Sequence, residues 1–110
     1  METESRAVTA GKEYISENLA SAELGLNSIS EHVGLTSTYF SQLFKQETGS
    51  GISSYIVSQR LERAKELLRD TNLKIEDIAL RCGFSSVNYF TQVFKKQEGI
   101  TANAYRRKES

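Results

Sequence analysis

"YFSQLFKQETG" at residues 39–49 and "YFTQVFKKQEG" at residues 89–99 spell nearly one phrase twice, fifty residues apart. Tyr, Phe, Gln, Phe, Lys and Gly keep their places, while Ser/Thr and Leu/Val exchange. Outward from this phrase the repeat widens. Ile29, Gly34, Phe40, Phe44, Gly49 and Tyr55 answer to Ile78, Gly83, Phe90, Phe94, Gly99 and Tyr105. One residue slips in the turn, where "GLTST" faces "GFSSVN". Two copies are too few for a solenoid; they describe two sibling modules.

Apolar residues recur at three- and four-residue steps and proline is absent, which predicts amphipathic helices. Val8, Ile15 and Leu19 share a stripe of a first helix over about 6–21. Leu26, Ile29 and Val33 mark a second that stops at Gly34. Thr36 or Ser37 then caps a third, over about 37–48, whose Phe40, Leu43 and Phe44 face inward. A fourth, over about 52–69, carries Tyr55, Ile56, Ala64, Leu67 and Leu68 and is otherwise filled with good helix formers. Ile75, Ile78 and Cys82 belong to a fifth; Phe90, Val93 and Phe94 to a sixth, over about 86–98; Ala104 and Tyr105 to a seventh. The expected architecture is all-α with seven helices. Residues 1–5 form a disordered tail, 6–51 and 71–110 two helix-turn-helix subdomains, and 52–70 a long linker helix.

The bulk numbers suit this division. A chain of 110 residues with 38% apolar content makes one compact domain or two very small ones. Half of it, about 50 residues, is near the lower limit for folding unaided. No apolar run approaches the roughly 20 residues that span a bilayer, and no signal peptide is recognisable, so the chain reads as cytoplasmic with no membrane partner. The lone Cys82 makes neither an internal disulfide nor a metal cluster. Net charge is zero, yet residues 1–44 hold two basic side chains against six glutamates, while residues 45–110 carry a net +4. This polarity is mild and fits a solvated surface nearly as well as an anionic partner.

A short helix, a tight glycine turn and a second helix form the helix-turn-helix unit, in which the second helix enters the DNA major groove. A hairpin that merely packs is the alternative. The helix faces favour the groove. Opposite the buried phenylalanines, Thr38, Ser41, Gln42 and Lys45 form a stripe at i, i+3, i+4 and i+7, matched by Asn88, Thr91, Gln92 and Lys95. A solvated face usually carries more Glu and Lys. Amide side chains pair with adenine, hydroxyls with several bases, and lysine with guanine or phosphate. A rod of about eighteen residues is roughly 27 Å long, which with half a module at each end suits major grooves recurring about every 34 Å. The expected partner is double-stranded DNA, read in two successive grooves.

"RLERAKELLRDTNLKIEDIALRCGFSSVNYFTQVFKKQEGITANAYR" closely resembles the C-terminal signature of AraC/XylS-type bacterial transcription regulators. Its marks are Arg60, Ala64, Leu67, Leu68, Ile78, Ala79, Gly83, Phe84, Tyr89, Phe90, Phe94, Lys95, Lys96, Gly99, Tyr105 and Arg106. With the first half, the resemblance covers about residues 8–107. It implies base contacts by Thr38, Ser41 and Gln42 and by Val87, Asn88, Thr91 and Gln92. It implies DNA backbone contacts by Ser37, Tyr39, Lys45, Ser86, Tyr89, Lys95 and Lys96. The chain departs from the pattern at Ala102, where proline is common and the last helix is expected to loosen. It departs also at Ser86, where an acidic residue is frequent, and at Ser30, where alanine is usual.

Family members usually carry a separate N-terminal effector or receiver module, and the opening stretch looks like readers attached to receivers, so the chain reads as a C-terminal fragment. The acidic first helix, with Glu13, Glu17 and Glu23, faces RNA polymerase, that module, or only solvent. A helical protein-interaction module is therefore the rival to DNA binding. For an enzyme there is little: His32 is the only histidine, Cys82 suits a buried filler, and no phosphate loop, carboxylate pair or zinc spacing appears. No cofactor or metal is expected.

Overall fold

The computed structural model describes residues 4–109 and, among them, seven helices and no strand. They are α1 (Arg6–Glu17), α2 (Leu26–Val33), α3 (Ser37–Thr48), α4 (Ile52–Asp70), α5 (Ile75–Arg81), α6 (Val87–Glu98) and α7 (Ala102–Glu109). The chain divides into two compact units between Ser58 and Gln59, inside α4.

In the first unit, Val8, Ile15, Leu19, Ile29, Phe40, Phe44, Ile52 and Ile56 form the buried core. Gly11 is buried with them, and it stays a glycine because a Cβ there would lie 2.6 Å from the Phe40 Cζ. The repeated phrase supplies the aromatic spine: Phe40 tilts against Phe44 at 5.8 Å, and Phe44 meets Tyr55 edge-on at 5.1 Å.

The second unit buries Leu61, Ala64, Leu68, Ile78, Ala79, Cys82, Phe84, Phe90, Phe94 and Ala102. Phe90 and Phe94 lie 5.7 Å apart, and Phe94 meets Tyr105 edge-on at 5.7 Å, so each repeat ends its spine on its tyrosine. The Tyr105 hydroxyl accepts from Arg69 Nη1 at 2.7 Å. Arg106 ties α7 to the end of α4: its guanidinium donates to the carbonyl of Leu68 (3.1 Å), in the last turn of α4, and to that of Thr71 (3.2 Å), just beyond it. In the buried stripe, Val8, Gly11 and Ile15 of α1 have the spacing of Leu61, Ala64 and Leu68 of α4. The later part of α4 thus repeats α1, a third member of each unit beyond the two helices of the motif.

Several boundaries differ from expectation. α1 ends at Glu17, short of residue 21, because Asn18 closes it: the side-chain amide donates to the Tyr14 carbonyl at 2.8 Å and the backbone N–H to Ile15. Glu23 therefore lies beyond the first helix, although Leu19 stays buried. α4 reaches Asp70, and Cys82 caps α5 instead of continuing it. Ser86 is the N-cap of α6 and not its first residue. At Ala102, where proline is common, α7 begins with the residue buried, and the Thr101 hydroxyl accepts from the Ala104 N–H at 3.1 Å. Residues 1–3 of the expected tail lie outside the described residues. Of the other two, Ser5 caps α1 and its N–H donates to Glu47 Oε1 at 2.8 Å.

Candidate nucleic-acid interface

Both motifs turn on the same backbone device. α2 runs into Gly34 (φ 78°), whose N–H reaches the Glu31 carbonyl while the Leu35 N–H reaches back to Ser30. α5 runs into Gly83 (φ 91°), with Gly83 bonded to Leu80 and Phe84 to Ala79. This Schellman pattern needs a left-handed residue at its corner, where a Cβ is costly, so glycine stands there twice. The next helix is then started by a hydroxyl. Thr36 accepts from the Tyr39 N–H at 3.2 Å and Ser86 from the Tyr89 N–H at 3.1 Å. Of the two candidates for the first cap, Thr36 is the one used. Thr36 is therefore the structural counterpart of Ser86, a match hidden in the sequence by the slipped turn.

Once capped, α3 and α6 bury Phe40 and Phe44, or Phe90 and Phe94, and turn the opposite stripe outward. Thr38, Gln42 and Lys45 are exposed and Ser41 is half-buried; Asn88, Thr91, Gln92, Lys95 and Lys96 are all exposed. Among the described residues, none holds the side chains of Gln42, Lys45, Asn88, Gln92 or Lys95 in a hydrogen bond or ion pair. These polar groups can serve a ligand without giving up internal partners. Lys45, Lys95 and Lys96 also lie in the last turns of their helices, where the dipole favours cations.

The hydroxyls are less uniform. Thr91 donates into its own helix, 2.7 Å from the Val87 carbonyl, so its lone pairs and methyl are what it offers outward. Ser37 is half-buried and held: it donates to Asn27 Oδ1 at 3.0 Å and lies 3.0 Å from the Ser30 hydroxyl. Its side chain serves the turn, and only its N–H, on the first turn of α3, has no partner within the helix. Ser30, buried where alanine is usual, is accommodated by this network and by the Asn27 carbonyl. The apolar residues at the two helix starts remain accessible: Tyr39 is 54% exposed, Tyr89 44% and Val87 39%. Tyr89 is steadied by the Phe84 ring at 5.9 Å.

Other chemistry is sparse. Burial pushes the Cys82 thiol up to about 11, against the pull of Arg63 and Arg60, so it is a packed and unreactive group. His32 is exposed and stacked on Tyr14 at 4.4 Å. Among the described residues, no group of three or more His, Cys, Asp or Glu side chains is placed to hold a metal, and no helix is long and apolar enough to cross a membrane.

Two capped helices, each presenting an uncharged polar stripe closed by lysine, define a helix-turn-helix DNA-binding protein. A model described as a helix-turn-helix domain matches residues 29–108, from α2 to α7. The regulatory protein PocR of Salmonella typhimurium is 40% identical over 93 residues, which is 84% of this chain and 30% of that protein. The transcriptional activator RhaR of Yersinia pseudotuberculosis is 49% identical over 67 residues, 61% of this chain and 23% of that one. Among solved structures, the C-terminal domain of AraT, a response regulator from Geobacillus stearothermophilus, superimposes with a TM-score of 0.92 at 34% identity, covering 97% of this chain and 88% of that chain. The chain belongs to the AraC/XylS-type family of helix-turn-helix domains. It spans less than a third of the length of the curated relatives it matches.

Proposed function

We propose that α3 and α6 enter successive major grooves of one double-stranded operator, so that a single chain reads two boxes about one helical turn apart. Base edges are read by Thr38, Ser41 and Gln42 from α3, and by Val87, Asn88, Thr91 and Gln92 from α6. Lys45, Lys95, Lys96, Tyr39 and Tyr89 meet the DNA backbone. Ser86 joins them with its hydroxyl proton, which capping leaves free, and Thr36 does the same in the first unit. Ser37 contributes its N–H to a phosphate, as helix starts commonly do.

The observation that carries this is the accessibility of both stripes, with amide and ammonium groups that no internal bond engages. The length of α4, 19 residues or about 28 Å at 1.5 Å per residue, supports the spacing. A mobility-shift titration at two salt concentrations tests it. Affinity should fall steeply with salt, since lysine–phosphate contacts release counterions. Gln92→Ala should relax base preference in one box, whereas Lys95→Ala should weaken all sequences alike. Equal losses on specific and random DNA for both variants would reject these roles.

The larger protein is a cytoplasmic regulator in which a further module precedes this one; the likeness to AraT supports a receiver in that place. Glu13 and Glu17, exposed on α1, are its candidate surface for RNA polymerase or for that module. Charge reversal there should lower transcription while leaving DNA affinity unchanged. A matching loss of DNA affinity would remove the assignment.

A further inference from the structure

The two reading helices begin differently. The first helical residue after each cap is Ser37 in α3 and Val87 in α6. Ser37 is tied to Asn27 and Ser30, the residues two before and one after Ile29. The corresponding neighbours of Ile78 are Glu76 and Ala79, so the polar bracket of the first unit is absent from the second. In its place Val87 is 39% exposed, a β-branched apolar residue on the first turn of a helix whose other outward residues are mostly polar. Valine is a middling helix former, and this one gains little from burial, so neither local propensity nor the core accounts for it. One turn further along lies Thr91, whose hydroxyl is folded back onto the Val87 carbonyl. The start of α6 is thus less hydrogen-bonding than its sequence suggests.

We propose that the box under α6 contains a 5-methylpyrimidine whose methyl group packs on Val87. This deepens the assignment of α6 to a major groove and presupposes it. The C5 methyl of thymine is the apolar feature of that groove, and 5-methylcytosine presents the same group.

The test uses the 110-residue chain and a duplex selected from a random pool, with the α6 box identified by its response to Gln92→Ala. Each thymine is replaced singly by deoxyuridine, which removes only the methyl. One replacement in the α6 box should weaken binding by about 3- to 5-fold, the burial of one methyl group. Where the selected base is cytosine, 5-methylcytosine should tighten binding by a similar factor; the two substitutions separate the sources of the methyl. Val87→Ser should abolish the response to the methyl, and Val87→Thr, which keeps one methyl, should retain part of it. Unchanged helical content would show that both variants fold. The proposal is overturned if no methyl in that box matters while Gln92→Ala still relaxes its base preference, or if Val87→Ser leaves the methyl response intact. If Gln92→Ala changes neither box, the placement of α6 in a groove fails, and the proposal with it.

Discussion

Asn27, Ser30 and Ser37 bracket α2 to the start of α3 through hydroxyl and amide groups, whereas Glu76, Ala79 and Val87 stand at the same places in the second unit and make no such bracket. The cores differ too: Gly11 lets α1 approach the Phe40 ring, while Ala64 occupies the matching place in the stripe of α4. Elsewhere the units agree closely in glycine turn, hydroxyl cap, phenylalanine pair and tyrosine. Positions shared by both units therefore build the motif. Positions where they part adjust how the second helix of each motif is seated and what it shows on its outward face.

Removing the shared spine should have the largest effect. Phe40→Ala and Phe90→Ala should each cost about 3–5 kcal/mol, as fully buried aromatic truncations do. Urea titration measures both, and a loss confined to one variant would end the equivalence of the cores. Gly11→Ala comes next, at about 1–3 kcal/mol, because the new methyl must displace a buried ring. It should be destabilising although alanine is the better helix former, and a net gain in Tm would show that the approach of α1 is not tight.

The bracket is the finer test. Ser30→Ala should cost about 1 kcal/mol, one buried hydroxyl bond. Ala79→Ser should also destabilise, since Val87 offers no hydroxyl partner, and a stabilised protein would contradict the asymmetry. Smallest in free energy is the thiol. Cys82 in the folded chain should react with iodoacetamide at pH 8 far more slowly than in the unfolded chain, because burial removes both access and ionisation. Equal rates would place the thiol at the surface.

Much of this was legible in the residues. Phe40, Phe44, Phe90 and Phe94 recur at four-residue steps, which assigns a buried face and leaves the opposite stripe outward. Gly34 and Gly83 mark corners that other residues resist. The end of α1 was less legible: Leu19 prolongs the apolar pattern, yet Asn18 stops the helix by bonding back to Tyr14. Thr36 and Ser37 are interchangeable as caps in the sequence because both carry hydroxyls, and only geometry separates the one that caps from the one that braces.

Gly11 is silent in the sequence for a different reason. A glycine inside a helical pattern reads as a mild weakness, and its value lies in a ring twenty-nine residues away. Periodicity, turn chemistry and the doubled phrase by themselves determined seven helices and two outward polar stripes, and the resemblance of the signature stretch pointed to the family. Tertiary structure alone decided which hydroxyls are spent internally, which glycine admits a neighbour, and that α4 repeats α1. The reason is physical: helical period and backbone preference act between residues a few places apart, whereas hydrogen-bond partners and close approach depend on atoms that only folding brings together.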